Sequence, residues 1–224
     1  MERQIEIHSY HGWGFDAFFW DALHSHIPAD IDVKAADRGY FGNNMQLAFE
    51  SPKSTKILLL HSFGLHWCPR DEIIEADFVV LMNSFSSFLP TNSANDDREG
   101  KALRRMIKQF ESAPSEVLGA FYKNCFYPNE TTFNQLEVNV NYQLLLNDLK
   151  YLYNCSFEDF STLQSKAIIL NSTLDRIVPG TQADSLPRLM PQLPCKNFAG
   201  VGHALPIIKS EECWSFIKWA IPII

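Results

Sequence analysis

Short apolar runs alternate with helical patterns along most of this chain. The run at residues 57–60 is unbroken, which is typical of a strand buried on both faces of a parallel sheet. The other segments with strand patterns are 5–9, 31–36, 78–82, 167–170 and 196–198. Because helical segments separate these strands, the pattern predicts the α/β class, with a mainly parallel sheet of about six strands flanked by helices.

The pattern changes after the fourth predicted strand, where helical spacing continues without strand signals from about residue 99 to residue 153. Leu103, Ile107 and Phe110 share one face of the first helix in this region. With 224 residues, the chain can bury one sizeable core. We therefore predict one domain, residues 1–224, with a helical insertion at about residues 91–155.

Composition and charge exclude several classes of function. The net charge of −7 argues against a nucleic-acid-binding surface, because phosphate contacts need clustered lysine and arginine. No stretch approaches the roughly 20 apolar residues of a membrane span, and the amino terminus lacks a signal-peptide pattern. We therefore expect a cytoplasmic protein that binds neither nucleic acid nor membrane. The five cysteines are widely spaced without a C-x-x-C pair, so we predict no zinc or other metal site.

The apolar run at residues 57–60 leads directly to Ser62, with Gly64 two residues further on. A serine on a sharp turn between a strand and a helix has its hydroxyl raised above the sheet edge, and the usual pattern is G-x-S-x-G. Leu60 stands at the first glycine position of that pattern. The alternatives for Ser62 are therefore a nucleophile and an ordinary strand end.

The residues around this serine carry two further expectations. Pro69 predicts that the helix after Ser62 starts late or is distorted. His61 and His66 flank the serine without the spacing of a metal site, so we expect them to pack or to line a pocket.

Asp175 and His203 each follow a predicted strand, so that together with Ser62 they occur in the order serine, aspartate, histidine. The carboxyl ends of parallel strands bring distant residues together, and this order is similar to that of α/β-hydrolases. In such a triad His203 would remove the proton of Ser62, while Asp175 holds the imidazole tautomer and stabilises the imidazolium. Asp175 could instead be a turn former, and the competing acid Asp184 is more typical of a helix cap.

Acyl transfer also needs donors for the oxyanion of its tetrahedral intermediate. The natural candidates are the backbone N–H of Phe63, at the start of the helix after Ser62, and that of Trp13. Trp13 lies in the glycine-flanked loop at residues 11–14, which follows the first predicted strand.

Four segments carry a resemblance to a known family: residues 11–14 with 19–20, residues 61–64, residues 174–179 and residues 202–204. Together they look like an α/β-hydrolase, and within that superfamily they most resemble the pimeloyl-acyl-carrier-protein methyl ester carboxylesterases of biotin synthesis. The resemblance implies that Ser62, Asp175 and His203 form the triad and that Trp13 and Phe63 form the oxyanion hole. It also implies that the reaction needs no cofactor.

The same resemblance implies a helical cap over the site, whose basic residues dock the acidic acyl carrier protein. The matching stretch contains Lys101, Arg104, Arg105 and Lys108, although a solvated helix face would also explain them. We therefore expect a monomeric carboxylesterase that hydrolyses the pimeloyl methyl ester carried on acyl carrier protein. The alternatives are a broader carboxylesterase or thioesterase for small acyl groups, and a catalytically silent binding protein with a hydrolase fold.

Overall fold

The computed structural model describes residues 4–90, 98–130 and 139–222. Its strands are β1 (Ile5–Tyr10), β2 (Asp32–Ala35), β3 (Thr55–His61), β4 (Phe78–Met82), β5 (Ala167–Ser172) and β6 (Cys195–Phe198). They form one six-stranded sheet in the order β2-β1-β3-β4-β5-β6, and every neighbouring pair is parallel. The predicted α/β class with a parallel sheet is therefore confirmed.

Helices occupy four of the five connections between these strands, all but the one from β2 to β3, and two more helices follow β6. The helices are α1 (Asp21–His24), α2 (Gly64–Trp67), α3 (Arg70–Glu75), α4 (Arg98–Ser112), α5 (Pro114–Cys125), α6 (Tyr142–Tyr151), α7 (Phe160–Leu163), α8 (Gly180–Ala183), α9 (Ser185–Leu189), α10 (Leu205–Ile208) and α11 (Ser210–Ala220). A 3₁₀ turn at Ala17–Trp20 precedes α1. In the part of the chain that the structure describes, no helix combines the length and the hydrophobicity that a membrane span requires.

Strand β3 lies inside the sheet between β1 and β4, and all of its residues are buried. Ile57 and Leu59 belong to the larger apolar cluster, whereas Leu58 and Leu60 belong to a second cluster. Side chains alternate between the two faces of a strand, so β3 supplies apolar side chains to both faces of the sheet. This double burial explains the unbroken apolar run in its sequence.

The helical segment after Ser62 is broken, as the proline in it predicts. Helix α2 ends at Trp67, and α3 begins at Arg70. Between them Cys68 adopts extended backbone angles of φ −57° and ψ 131°. The ring of Pro69 disfavours a helical conformation for the residue before it, which accounts for the break.

Helices α4, α5 and α6 lie between β4 and β5 in the sequence, where a helical insertion was expected. Helix α6 is attached to the loop after β2 by Asp148, whose carboxylate accepts two hydrogen bonds from Arg38 at 2.8 and 2.9 Å and one from the Tyr40 hydroxyl at 2.7 Å. Residues 91–97 and 131–138 of the expected insertion lie outside the described residues. Its boundaries at residues 91 and 155 therefore stay a prediction.

Gly64 lies where the start of α2 meets the end of β1. A Cβ atom at Gly64 would lie 2.2 Å from the backbone oxygen of Tyr10, and this backbone cannot move aside cheaply because Tyr10 belongs to the sheet. Only glycine therefore permits α2 to start so close to β1.

We expect Gly64→Ala to lower the free energy of unfolding by about 3 kcal/mol or more, because the added methyl group overlaps the Tyr10 carbonyl. The matched control is Gly119→Ala in α5, where an added Cβ meets nothing within 4 Å. That control should stabilise the protein by roughly 0.5–1 kcal/mol, the usual gain when alanine replaces glycine in a helix. Urea unfolding of both variants measures the difference, and equal stability would contradict the close approach at Gly64.

Candidate active site

Three strand ends bring the predicted site residues to one edge of the sheet. Ser62 follows β3 directly, Asp175 lies three residues after β5, and His203 lies in the loop after β6. Ser62 has a left-handed backbone with φ of 54°, which residues other than glycine rarely adopt. This conformation produces the sharp turn from β3 into α2. Leu60 stands at the first glycine position of the G-x-S-x-G pattern. Its side chain packs in the second apolar cluster, and the turn at Ser62 forms nevertheless.

His203 and Asp175 form a direct pair. The Nδ1 atom of His203 lies 2.7 Å from Oδ2 of Asp175. Since a carboxylate only accepts, Nδ1 carries the proton, and Nε2 is the ring nitrogen that can accept one. The second oxygen of Asp175 accepts the backbone N–H groups of Ile177 and Val178 at 2.7 and 3.1 Å, which holds the carboxylate in place.

The competing acid lies elsewhere. Asp184 is an exposed residue at the junction of α8 and α9, and its backbone C=O accepts from Arg188. The structure therefore pairs His203 with Asp175 rather than with Asp184. Asp175 is also a turn former, the other role considered for it. Its side chain accepts hydrogen bonds from the backbone N–H groups of Ile177 and Val178 while it bonds to His203.

Ser62 and His203 are both almost fully buried, at 5% and 1% exposure. No hydrogen bond joins the Ser62 hydroxyl to the His203 ring, both of which belong to the described part of the chain. In enzymes without bound substrate such bonds are often long or poorly aligned and tighten only in the complex.

Two backbone N–H groups belong to the segments beside Ser62: Phe63 follows it, and Trp13 follows Gly12, where an added Cβ would lie 3.0 Å from the Cβ of Ser62. The N–H groups of Trp13 and Phe63 donate to no acceptor within the residues that the structure describes. Phe63 precedes the first turn of α2, and Trp13 follows the end of β1, the strand beside β3. Both N–H groups are therefore available to a bound oxyanion.

The helices α4, α5 and α6 between β4 and β5 are called the insertion from here on, and two of them hold the loop that contains Trp13. The indole N–H of Trp13 donates to the backbone oxygen of Leu145 in α6 at 2.8 Å. The Tyr122 hydroxyl in α5 donates to the backbone oxygen of Gly14 at 2.6 Å. Gly14 itself has a left-handed φ of 74°, and Phe121 of α5 lies against it. Two helices of the insertion thus determine the position of this loop.

A cavity of about 470 Å³ opens beside Ser62. Most of its wall is apolar, and the insertion supplies one side of it. The apolar lining residues include Trp13, Phe63, Phe85, Phe88, Leu103, Met106, Phe121, Leu149, Leu152, Ile177 and Val178. Arg98, Glu99 and Arg176 add charges to the wall, and Asn124 adds an amide. The cavity can therefore hold an apolar group against the serine hydroxyl.

The four basic residues of α4 that were predicted to dock a carrier protein do not share one environment. Lys101, Arg105 and Lys108 are exposed. Arg104 is partly buried and donates to the hydroxyl of Tyr153 at 2.7 Å, with its guanidinium over the same ring. Three of the four cations are therefore presented to solvent, while Arg104 also packs within the insertion.

Two polar residues beside His203 were not identified as functional from the sequence. Asn83, directly after β4, and His61, at the end of β3, both bond to the backbone of His203. His61 was expected only to pack or to line a pocket. The position of Asn83 at a strand end of the same sheet edge is the one signal that could have drawn attention to it.

Among the described residues, no three histidine, cysteine, aspartate or glutamate side chains converge as a metal site would require.

No protein-family model matches the chain, and no curated protein sequence matches it. Solved structures resemble it over nearly its whole length. An esterase from Exiguobacterium antarcticum has a TM-score of 0.78 at 12% identity, covering 99% of this chain and 93% of that one. An esterase from Thermogutta terrifontis has a TM-score of 0.72 at 15% identity, covering 100% and 92%. A bromoperoxidase from Bacillus anthracis has a TM-score of 0.69 at 16% identity, covering 98% and 91%. At such identities the likeness concerns the fold, and the chain has the α/β-hydrolase fold.

We expect Tyr122→Phe to reduce stability by about 1–3 kcal/mol, because it leaves the buried oxygen of Gly14 without a donor. The same change should lower kcat on any ester that the protein hydrolyses, since the loop with Trp13 loses its attachment to α5. Tyr142→Phe is the matched control, because Tyr142 is 38% exposed on α6. Urea unfolding and ester hydrolysis measure the two effects, and equal behaviour of both variants would argue against the attachment.

Proposed function

We propose that this protein is a serine hydrolase that cleaves carboxylic esters through Ser62, His203 and Asp175. The observation that supports this most is the convergence of a serine on a left-handed turn with a hydrogen-bonded histidine–aspartate pair at one sheet edge. A cavity and two available backbone donors adjoin the same serine. These are the parts that acyl transfer requires.

In the first half of the reaction, Nε2 of His203 accepts the proton of Ser62 as its Oγ attacks the carbonyl carbon of the ester. The carbonyl oxygen becomes an oxyanion, which the N–H groups of Trp13 and Phe63 stabilise. Asp175 stabilises the imidazolium through the 2.7 Å bond to Nδ1. The tetrahedral intermediate then expels the alcohol oxygen, which takes the proton from His203. The products are the free alcohol and an ester of Ser62 with the acyl group.

In the second half, water replaces the alcohol. His203 accepts a proton from water as the water oxygen attacks the acyl carbon, and the same two donors hold the oxyanion. The intermediate breaks its bond to Ser62 Oγ, which recovers the proton from His203. One ester and one water thus yield one carboxylic acid and one alcohol, and the enzyme returns to its starting state.

The finer proposal is that the substrate is the pimeloyl methyl ester carried on acyl carrier protein. The cavity volume of about 470 Å³ and its apolar wall suit a medium-length acyl chain. The exposed cations Lys101, Arg105 and Lys108 lie on α4, the helix that also supplies Leu103 and Met106 to the cavity wall. On a chain of net charge −7, this local excess of positive charge suits an acidic partner.

A broader carboxylesterase or thioesterase for small acyl groups is the second candidate. The observation that favours it is the predominantly apolar wall of the cavity. An apolar pocket distinguishes chains that differ by one methylene by only about 1–3 kcal/mol, so such a site accepts several chain lengths.

Replacement of Ser62 by alanine tests the proposed function. We expect Ser62→Ala to lower kcat on the order of 10⁶-fold, as removal of a triad serine does, while thermal stability is retained. The matched control is Ser86→Ala, which removes a buried serine hydroxyl after the neighbouring strand β4 and should stay active. Substrates are the pimeloyl methyl ester on acyl carrier protein and a short p-nitrophenyl ester.

Each outcome of that assay distinguishes a hypothesis. Turnover of the carrier-bound ester that depends on Ser62 supports the finer proposal, and turnover of the short ester alone supports the broader enzyme. Absence of turnover on both, together with no labelling of Ser62 by a fluorophosphonate probe, would contradict the hydrolase and support a silent binding protein.

Charge reversal on α4 tests the proposed carrier docking. We expect Arg105→Glu to raise KM for the carrier-bound ester about two- to fivefold, the size of one exposed ion pair, and to leave KM for the short ester unchanged. Lys218→Glu on α11 makes the same change in charge at an exposed position outside the insertion and serves as control. Equal effects of the two variants on the carrier-bound ester would count against docking through α4.

A further inference from the structure

The backbone oxygen of His203 accepts two side-chain hydrogen bonds. Nε2 of His61 lies 3.0 Å from it, and Nδ2 of Asn83 lies 2.9 Å from it. His203 belongs to a loop, so its ring position depends on what holds its backbone. A carbonyl oxygen has two lone pairs, and here two buried donors occupy them.

The His61 ring is arranged to donate to this oxygen. It is completely buried, and it stacks on Phe19 with 4.5 Å between ring centroids. Because the oxygen of His203 only accepts, His61 carries its proton on Nε2, and its Nδ1 has no partner among the described residues. Burial, with a smaller contribution from nearby His203, holds the pKa of His61 well below its ordinary value, so the ring stays neutral.

Both polar atoms of the Asn83 side chain form hydrogen bonds. Its Nδ2 also donates to the Ser172 hydroxyl at 2.9 Å, and its Oδ1 accepts from the Ser172 backbone N–H at 2.8 Å. The backbone of Asn83 is left-handed, with φ of 46°, a conformation that asparagine tolerates better than most residues. Asn83 thus connects the carboxyl ends of β4 and β5 to the loop with His203.

His61 and Asn83 are also connected to Ser62 through the backbone. His61 directly precedes Ser62, and Asn83 directly follows Met82, whose backbone oxygen accepts the Ser62 N–H at 2.9 Å. The rings of His61 and His203 lie 4.7 Å apart between centroids. The His203 backbone is therefore held by the same two strand ends that hold the serine.

We propose that His61 and Asn83 are positioning residues that hold the backbone of His203 and thereby place its ring between Ser62 and Asp175. This inference rests on the proposed function, because it assigns a role in the same reaction. Neither residue contacts the reacting atoms in this role. Their loss should therefore lower kcat while substrate binding in the cavity, and with it KM, changes little.

Asn83→Asp tests the second donor. Aspartate keeps the shape, the acceptor for Ser172 and tolerance of the left-handed backbone, but it places an acceptor against the His203 oxygen. We expect kcat to fall on the order of 100-fold, as a displacement of about 1 Å in a catalytic group can cause, with KM nearly unchanged. The low-field NMR signal of the proton between His203 Nδ1 and Asp175 should shift or broaden.

The matched control is Asn171→Asp. Asn171 is also buried at the end of a strand, and its Nδ2 donates at 3.2 Å to the backbone oxygen of Ala183, which is remote from His203 in the sequence. Asn171→Asp also replaces a buried amide by a carboxyl group, but it should leave kcat and the low-field signal as in the wild type. Equal loss of kcat in both aspartate variants would overturn the proposal.

A pair of substitutions at His61 tests the first donor independently, should Asn83→Asp fail to fold. Glutamine can present an N–H near the place of Nε2, whereas leucine cannot donate. We expect His61→Gln to retain much of the wild-type kcat and His61→Leu to lose it at similar KM. Equal kcat in these two variants would overturn the role of His61. If the wild type itself shows no turnover that depends on Ser62, the proposed function has failed rather than this inference alone.

Discussion

The candidate site depends on one backbone constraint, which is the left-handed turn at Ser62 between a fully buried strand and α2. Gly64 makes that turn possible, because any larger residue would meet the carbonyl of Tyr10 at 2.2 Å. Leu60 shows that the requirement for glycine differs between the two sides of the serine. Before Ser62 the chain is still in the sheet and can bury a leucine in the core, whereas after it the helix lies against the backbone of β1.

The insertion does more than enclose a cavity. Trp13 and Gly14 are held by hydrogen bonds to α6 and α5, so the same helices that line the cavity also hold one of the two proposed oxyanion donors. The loop with His203 depends on α5 as well. A Cβ atom at Gly202 would lie 2.3 Å from the oxygen of Tyr127, and the N–H of Ala204 donates to the oxygen of Cys125. A shift of this insertion would therefore affect the geometry of the candidate site as well as access to the cavity.

Much of the fold could be predicted from residue patterns because local signals were strong. The apolar runs of β3 and β4 were found at nearly their observed bounds. Pro69 predicted a late start or a distortion of the helix after Ser62, and the structure shows a distortion, a break between α2 and α3. The short helices α7, α8 and α10 have four residues each, which is too few for a helical periodicity to be recognised. The sequence also could not distinguish Arg104, which packs on Tyr153, from the exposed cations around it. All of these cations lie at positions of the same helix, and only the packing of Tyr153, just after α6, decides that Arg104 is covered.

The sequence by itself determined the parallel α/β architecture and which residues follow the strand ends, because burial on both faces and turn residues leave local patterns. It did not determine that Asp175 rather than Asp184 meets His203, since that contact depends on how two loops after different strands fold against each other. Nor did it reveal that His61 and Asn83 hold the His203 carbonyl, because a hydrogen bond between residues more than 100 positions apart leaves no periodic signal. Such contacts exist only once the sheet has placed its strand ends side by side, and that placement is a property of the tertiary structure.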